Sequence, residues 1–135
     1  MKTLLGKSYR QISLRFKVNP EKHYHLAGAS GPFSVFIDEN EFVFTDDGLI
    51  GIEITNFSMA NRIPGFNFPI TTRLEATLAL FEKTGLAWEV GKYSEDRWLI
   101  INLINEYVRY DFEFQNNRFH LRCICLEKST PAMKK

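Results

Sequence analysis

The chain holds only two cysteines and three histidines, and nowhere does it reach the ~18 consecutive apolar residues of a membrane-spanning helix. No membrane partner is therefore expected. The opening MKTLLGKSYRQ has too short an apolar stretch for the centre of a signal peptide, so a cytoplasmic protein is the expectation. Cys123 and Cys125 are two positions apart, which on a strand puts them on one face. Neighbours of that kind disfavour a disulfide, and a single pair makes no disulfide framework, so free thiols are expected. GxGxxG, GxxxxGK[ST] and GxSxG are all absent. That removes the phosphate loop, the dinucleotide fingerprint and the nucleophile elbow as sources of chemistry. Most pointed is a local absence: residues 33 to 57 contain no lysine and no arginine.

That stretch carries Asp38, Glu39, Glu41, Asp46, Asp47 and Glu53 instead. Residues 1 to 22 are the reverse, with Lys2, Lys7, Arg10, Arg15, Lys17 and Lys22 against Glu21 alone. The formal net charge of +1 hides this division. Segregated charge points to separate basic and acidic surfaces, unless the two segments pair as neighbouring strands and cancel. The balance is too even for nonspecific DNA binding, and no specific nucleic-acid partner is expected.

At 135 residues the chain fits one domain, residues 1 to 135, with a polar tail from about 129. Its 12 phenylalanines have no polar handle and suit a β-rich core. QISLRFKV (11–18) alternates apolar and polar and reads as a half-buried strand. FSVFI and EFVFT flank a turn at Asp38, Glu39 and Asn40, and Asp46-Asp47-Gly48 closes a second turn into LIGIEI. Ile50, Ile52 and Ile54 are expected on one face. DDGLIGIEITNFS (46–58) resembles a strand–turn–strand passage of small uncharacterised bacterial domains, which implies only that local hairpin.

NRIPGFNFPIT (61–71) brackets Phe66 and Phe68 with prolines, so it suits neither helix nor regular strand. Phe68 is expected in the core and Phe66 as the exposed ring. Thr72 and Glu75 have capping-box spacing, and Leu74, Leu78 and Phe81 recur at helical spacing before Gly85. The reading is one main helix near 73–84. WLIINLI is read as a strand in preference to a helix capped by Ser94, Glu95 and Asp96. VRYDFEF, a turn at Asn116-Asn117, and RFHLRCICLE complete the strands. No repeat period appears. The fold class is α+β: a largely antiparallel sheet of meander-like hairpins with the helix on one face.

His23 and His25 could grip a metal only with a third ligand, and His120 or the cysteines stand at poor spacings for a tetrahedral site, so no metal or cofactor is expected. A small metal-independent hydrolase or ribonuclease would pair His23 or His25 with His120. A ligand-binding domain would line a pocket between sheet and helix with phenylalanines and Trp88 or Trp98. The preferred reading is a binding protein of the immunity or antitoxin type with no catalytic residues. Its expected partner is a protein with a basic surface, such as a nuclease toxin domain, met by Asp38, Glu39, Glu41, Asp46, Asp47, Glu53 and Phe66. In size the chain is similar to bacterial immunity proteins of contact-dependent or secreted toxin systems.

Overall fold

The computed structural model describes residues 4 to 127 except 27, 29, 95 and 96, and the backbone alone at 92 to 94. The tail from 129 and the acidic pair at 95 and 96 lie outside the described residues. The chain opens with a helix where alternation suggested a strand. Helix α1 spans Tyr9–Phe16. Ser8 caps it by accepting the Gln11 backbone N–H at 3.2 Å, while the Ser8 N–H donates to the Gln11 side chain at 2.8 Å. This reciprocal capping box outweighs the period-2 pattern, because so short an apolar run fits either period. Ile12 and Phe16, four apart, are buried. Leu14 and Val18, the other members of the supposed strand face, are 68% and 39% exposed.

Eight antiparallel strands follow in one sheet, ordered β1-β2-β3-β4-β8-β7-β6-β5. Strands β1 (His23–Tyr24), β2 (Phe33–Ile37), β3 (Asn40–Thr45) and β4 (Gly48–Ile54) form the first meander. Strands β5 (Trp88–Ser94), β6 (Trp98–Leu103), β7 (Val108–Gln115) and β8 (Arg118–Glu127) form the second. The two join through their last strands, with Gly51 opposite Glu127 and Ile54 opposite Ile124. Each meander follows a helix, so a helix-plus-four-strand unit recurs in space although no repeat is visible in the sequence. The turn at Asp38 and Glu39 has both residues at positive φ (55° and 69°), as does that at Asn116 and Asn117 (52° and 64°). Such two-residue turns match the strands' own twist.

Ile50 departs from the expected isoleucine stripe. Val43 faces Gly51 and Phe44 faces Leu49, leaving Ile50 as the unpaired residue of a bulge. The bulge swaps parity, so Leu49, Ile52 and Ile54 are the fully buried side chains.

The inner sheet face presents Val35, Phe42, Phe44, Ile52, Ile54, Ile101, Tyr110, Phe112, Ile124 and Leu126 to one core. Tyr9 meets Phe33 and Phe44 edge-on at 5.9 and 6.0 Å, and Phe16 meets Phe42 at 5.5 Å. A 3-10 helix, Phe57–Arg62, leads into the proline-bracketed loop. Phe68 is buried there, and Phe66 is half-buried against the same core, with its ring 5.5 Å from that of Phe68. The loop thus turns its aromatics inward, and the Tyr110 hydroxyl ties it to the sheet by donating to the Pro69 carbonyl at 2.6 Å.

Helix α2 spans Leu74–Thr84 and ends in Gly85 at φ 75°. Its N-cap is Arg73, without a side-chain cap bond, where sequence spacing had suggested Thr72. Thr72 is otherwise engaged: its carbonyl accepts from Leu121 at 2.9 Å and Arg73 bridges His120, so this pair extends the edge of β8 beyond β4. Phe81 reaches the sheet and packs edge-on against Tyr110 at 5.0 Å.

The outer sheet face as candidate functional site

Strand alternation sends the remaining side chains to the other face of the sheet. Register then aligns them across strands. Phe36 faces Glu41, Glu41 faces Glu53, Glu53 faces Cys125, Cys125 faces Arg109, and Arg109 faces Asn102. One row therefore runs from the first meander into the second. Beside it Asp111 faces Cys123.

The row begins with an exposed aromatic. Phe36 is 51% exposed, with the His23 ring edge-on at 5.7 Å. Next come two carboxylates directly opposite each other, an arrangement that destabilises a sheet. Glu41 is partly offset, since Ser34 donates to it at 2.6 Å. Glu53 is exposed, and its carboxyl is pushed above the usual range by desolvation first and then by Glu41 and Asp111, against the pull of Arg109. The folded state therefore binds a proton at Glu53 more readily than the unfolded chain does. Stability falls as pH rises from the ordinary carboxylate value through the raised one. Glu53→Gln should accordingly stabilise the protein at pH 7, by no more than about 0.5 kcal/mol for so exposed a group. The gain should vanish below about pH 4, where both states are protonated. Urea titrations of both proteins at several pH values measure this.

The centre of the row is a thiol–carboxylate–guanidinium cluster. Arg109 donates to both Asp111 oxygens at 2.8 and 3.2 Å, to Glu127 at 3.0 Å and to the Cys125 sulfur at 3.2 Å. Burial works against its charge, but Cys125, Asp111 and Glu127 outweigh burial and hold the guanidinium protonated above its ordinary range. The Cys123 thiol donates to Asp111 Oδ2 at 3.5 Å, and its sulfur is 3.9 Å from that of Cys125. The hydrogen bond with Cys125, burial and the surrounding negative charge push the Cys123 thiol far up. Both cysteines are free and buried.

The sequence-derived site residues are divided by this geometry. Glu41 and Glu53 come together on the outer face. Asp38 and Glu39 form the turn at the same end, where Asp38 pairs with Arg62 at 2.9 Å and Glu39 accepts from Asn56 at 3.2 Å. Asp46 and Asp47 form the turn at the opposite end of β3, about 16 Å away at the strand rise. The six carboxylates thus do not make one face. Phe66 belongs to the core side, and Phe36 is the exposed ring beside the acids. The basic segment hydrogen-bonds the acidic one through the backbone of Gly6 and Lys7 at Leu49, not as a neighbouring strand. Its residues Tyr9–Phe16 are helix α1, and a shallow groove beside that helix is lined by Tyr9, Arg10, Leu14 and Lys17.

The histidines do not assemble. His23 lies on β1 and His120 on β8, four strand spacings or roughly 19 Å apart. His25 contacts the Ser34 hydroxyl at 2.6 Å, but Ser34 is 3% exposed and donates to Glu41, so no substrate reaches it. At their separation, His23 and His120 are beyond hydrogen-bond reach of each other. Trp88 and Trp98 sit at opposite ends of the β5–β6 pairing.

Phe36, Arg109, Asp111, Glu127 and the cysteine pair were missed as site residues. Alternation in VRYDFEF and RFHLRCICLE marks their faces, but only register joins them. No family model matches the chain, and neither curated proteins nor solved structures show significant similarity to it. No helix among the described residues is long and apolar enough to cross a membrane.

Proposed function

We propose that this chain is a protein-binding module of the immunity or antitoxin type, and that it engages a basic protein partner through the Phe36 end of the outer sheet face. The observation that carries this reading is the cross-strand pair Glu41 and Glu53 beside the exposed Phe36 ring. Two facing carboxylates cost stability in the free protein, and a cation from a partner relieves that cost on docking. An adjacent exposed aromatic supplies desolvated contact area of the kind that dominates binding energy. Acidic charge also speeds encounter with a basic surface. A nucleic-acid-cleaving toxin domain has such a surface, because its own substrate is a polyanion. The partner's active-site cations would be occluded by the carboxylates, with Phe36 as anchor. Asp38 and Glu39 would border the contact, while Asp46 and Asp47 would lie outside it.

The test begins with tagged wild-type chain as bait in its native host, beside a Phe36→Ala, Glu53→Lys bait. Both changes are at exposed positions, where folding is little affected. The wild-type bait should retain a basic protein that halts growth when expressed alone and is neutralised by co-expression of this chain. Against that purified protein, Glu53→Lys should slow association several-fold at low salt, and Phe36→Ala should weaken affinity by about tenfold, or ~1.4 kcal/mol. Asp46→Lys, Asp47→Lys should leave both unchanged. A captured partner that binds the altered bait with wild-type rates would show that it docks elsewhere.

A further inference from the structure

The outer face holds a second feature that basic-partner docking does not use. Asp111, Cys123 and Cys125 each direct one ligand atom into a common space, all within 4.8 Å of one another. We propose that these three side chains form a binding site for a thiophilic divalent cation, with zinc as its chemical type.

The distances carry the argument. Zinc–sulfur bonds of ~2.3 Å place the two sulfurs of a tetrahedral site about 3.8 Å apart, and a zinc–oxygen bond of ~2.0 Å places sulfur and oxygen about 3.5 Å apart. The observed separations are 3.9 Å for Cys123 Sγ to Cys125 Sγ and 3.5 Å for Cys123 Sγ to Asp111 Oδ2. Two edges of the tetrahedron therefore exist before any metal enters. The strands explain this preorganisation. Cys123 and Cys125 share a face of β8, and the register shift between Asp111 and Phe112 falls beside the Asp111–Cys123 pair. Thiolate sulfur selects zinc over calcium or magnesium, which require oxygen ligands.

Two neighbours shape the site. Glu53 lies across the strand pair from Cys125, next to the site. Arg109 is the cation of the metal-free form, bound to Asp111 and Cys125, and it keeps Glu127 as partner when a dication takes the other two. Binding is balanced as one zinc ion in and two thiol protons out to solvent, giving two thiolates and one carboxylate on the metal. Affinity should therefore fall steeply as pH is lowered.

Cobalt(II) and zinc(II) serve as probes on reduced, untagged, full-length protein. Cobalt should bind one equivalent with a sulfur-to-cobalt charge-transfer band and the intense visible bands of tetrahedral geometry, and one equivalent of zinc should bleach them. Cys123→Ser and Cys125→Ser should each abolish or strongly reduce the charge-transfer band. Asp111→Asn should keep the band but weaken zinc binding by about tenfold or more, the scale on which groups around a metal act. The wild-type spectrum requires no variant to fold, so it is decisive alone: no charge-transfer band, or only weak octahedral cobalt, overturns the site. Zinc affinity unchanged in a folded Cys125→Ser or Asp111→Asn variant overturns it equally. Because this readout needs no protein partner, its failure is separable from failure of the docking reading.

Discussion

Phe81→Ala should lower the unfolding free energy by about 3–5 kcal/mol, the range for truncating a buried aromatic. Phe81 is completely buried on α2 and packs edge-on against Tyr110 at 5.0 Å. Truncation removes apolar burial and leaves a cavity between helix and sheet. It also strips Tyr110 of a ring partner worth about 0.5–1.5 kcal/mol. Tyr110 cannot move to fill the gap freely, because its hydroxyl holds the Pro69 carbonyl and burial keeps the phenol protonated well above its usual range. The loss should spread to the proline-bracketed loop through that bond. Guanidinium titration checks the magnitude, with Glu82→Ala on the exposed side of the same helix as control, expected within about 0.5 kcal/mol of wild type. A Phe81→Ala loss below about 1.5 kcal/mol would mean that α2 contributes little to the core.

Gly48→Ala should cost about 2–4 kcal/mol, from backbone strain of ~1–3 kcal/mol and weakened hydrogen bonds of about 1 kcal/mol each. Gly48 has φ 95°, a conformation that side chains rarely adopt. An added Cβ would also stand 2.5 Å from the Gly6 carbonyl oxygen and 2.8 Å from that of Lys7. Those are backbone atoms, so no side-chain rotation relieves the overlap. The Gly6 N–H donates to Leu49 at 2.7 Å, and the Leu49 N–H donates to Lys7 at 2.8 Å. Pushing that segment aside loosens the entry to α1. Amide exchange at Gly6 and Leu49 should therefore accelerate more than at Tyr110. Gly85→Ala separates the two causes, since Gly85 also has positive φ (75°) but meets nothing within 4 Å. It should cost only about 1 kcal/mol, through strain at the helix end alone. Equal losses at the two glycines would remove the close-approach argument.

The sequence by itself determined the features that depend on neighbouring residues. Asp38-Glu39 and Asn116-Asn117 mark two hairpins, Gly85 ends α2, and alternation in VRYDFEF and RFHLRCICLE sorts each strand into two faces. Turn chemistry and period are local, so they can be read along the chain. The first helix was also legible locally, in the Ser8–Gln11 capping box, but QISLRFKV fits period 2 nearly as well as a helix and the cap decides between them. Tertiary structure alone decided what those faces became. The β4–β8 join places Glu53 of the first meander against Cys125 of the second, across more than 70 residues of chain, and the β7–β8 register brings Asp111 to Cys123. The same packing turned Phe66 inward and left Phe36 exposed. Periodicity assigns a side chain to a face but is silent on which strand lies beside it. That choice is made by burying both meanders' apolar faces in one core, a long-range sum that no local segment encodes.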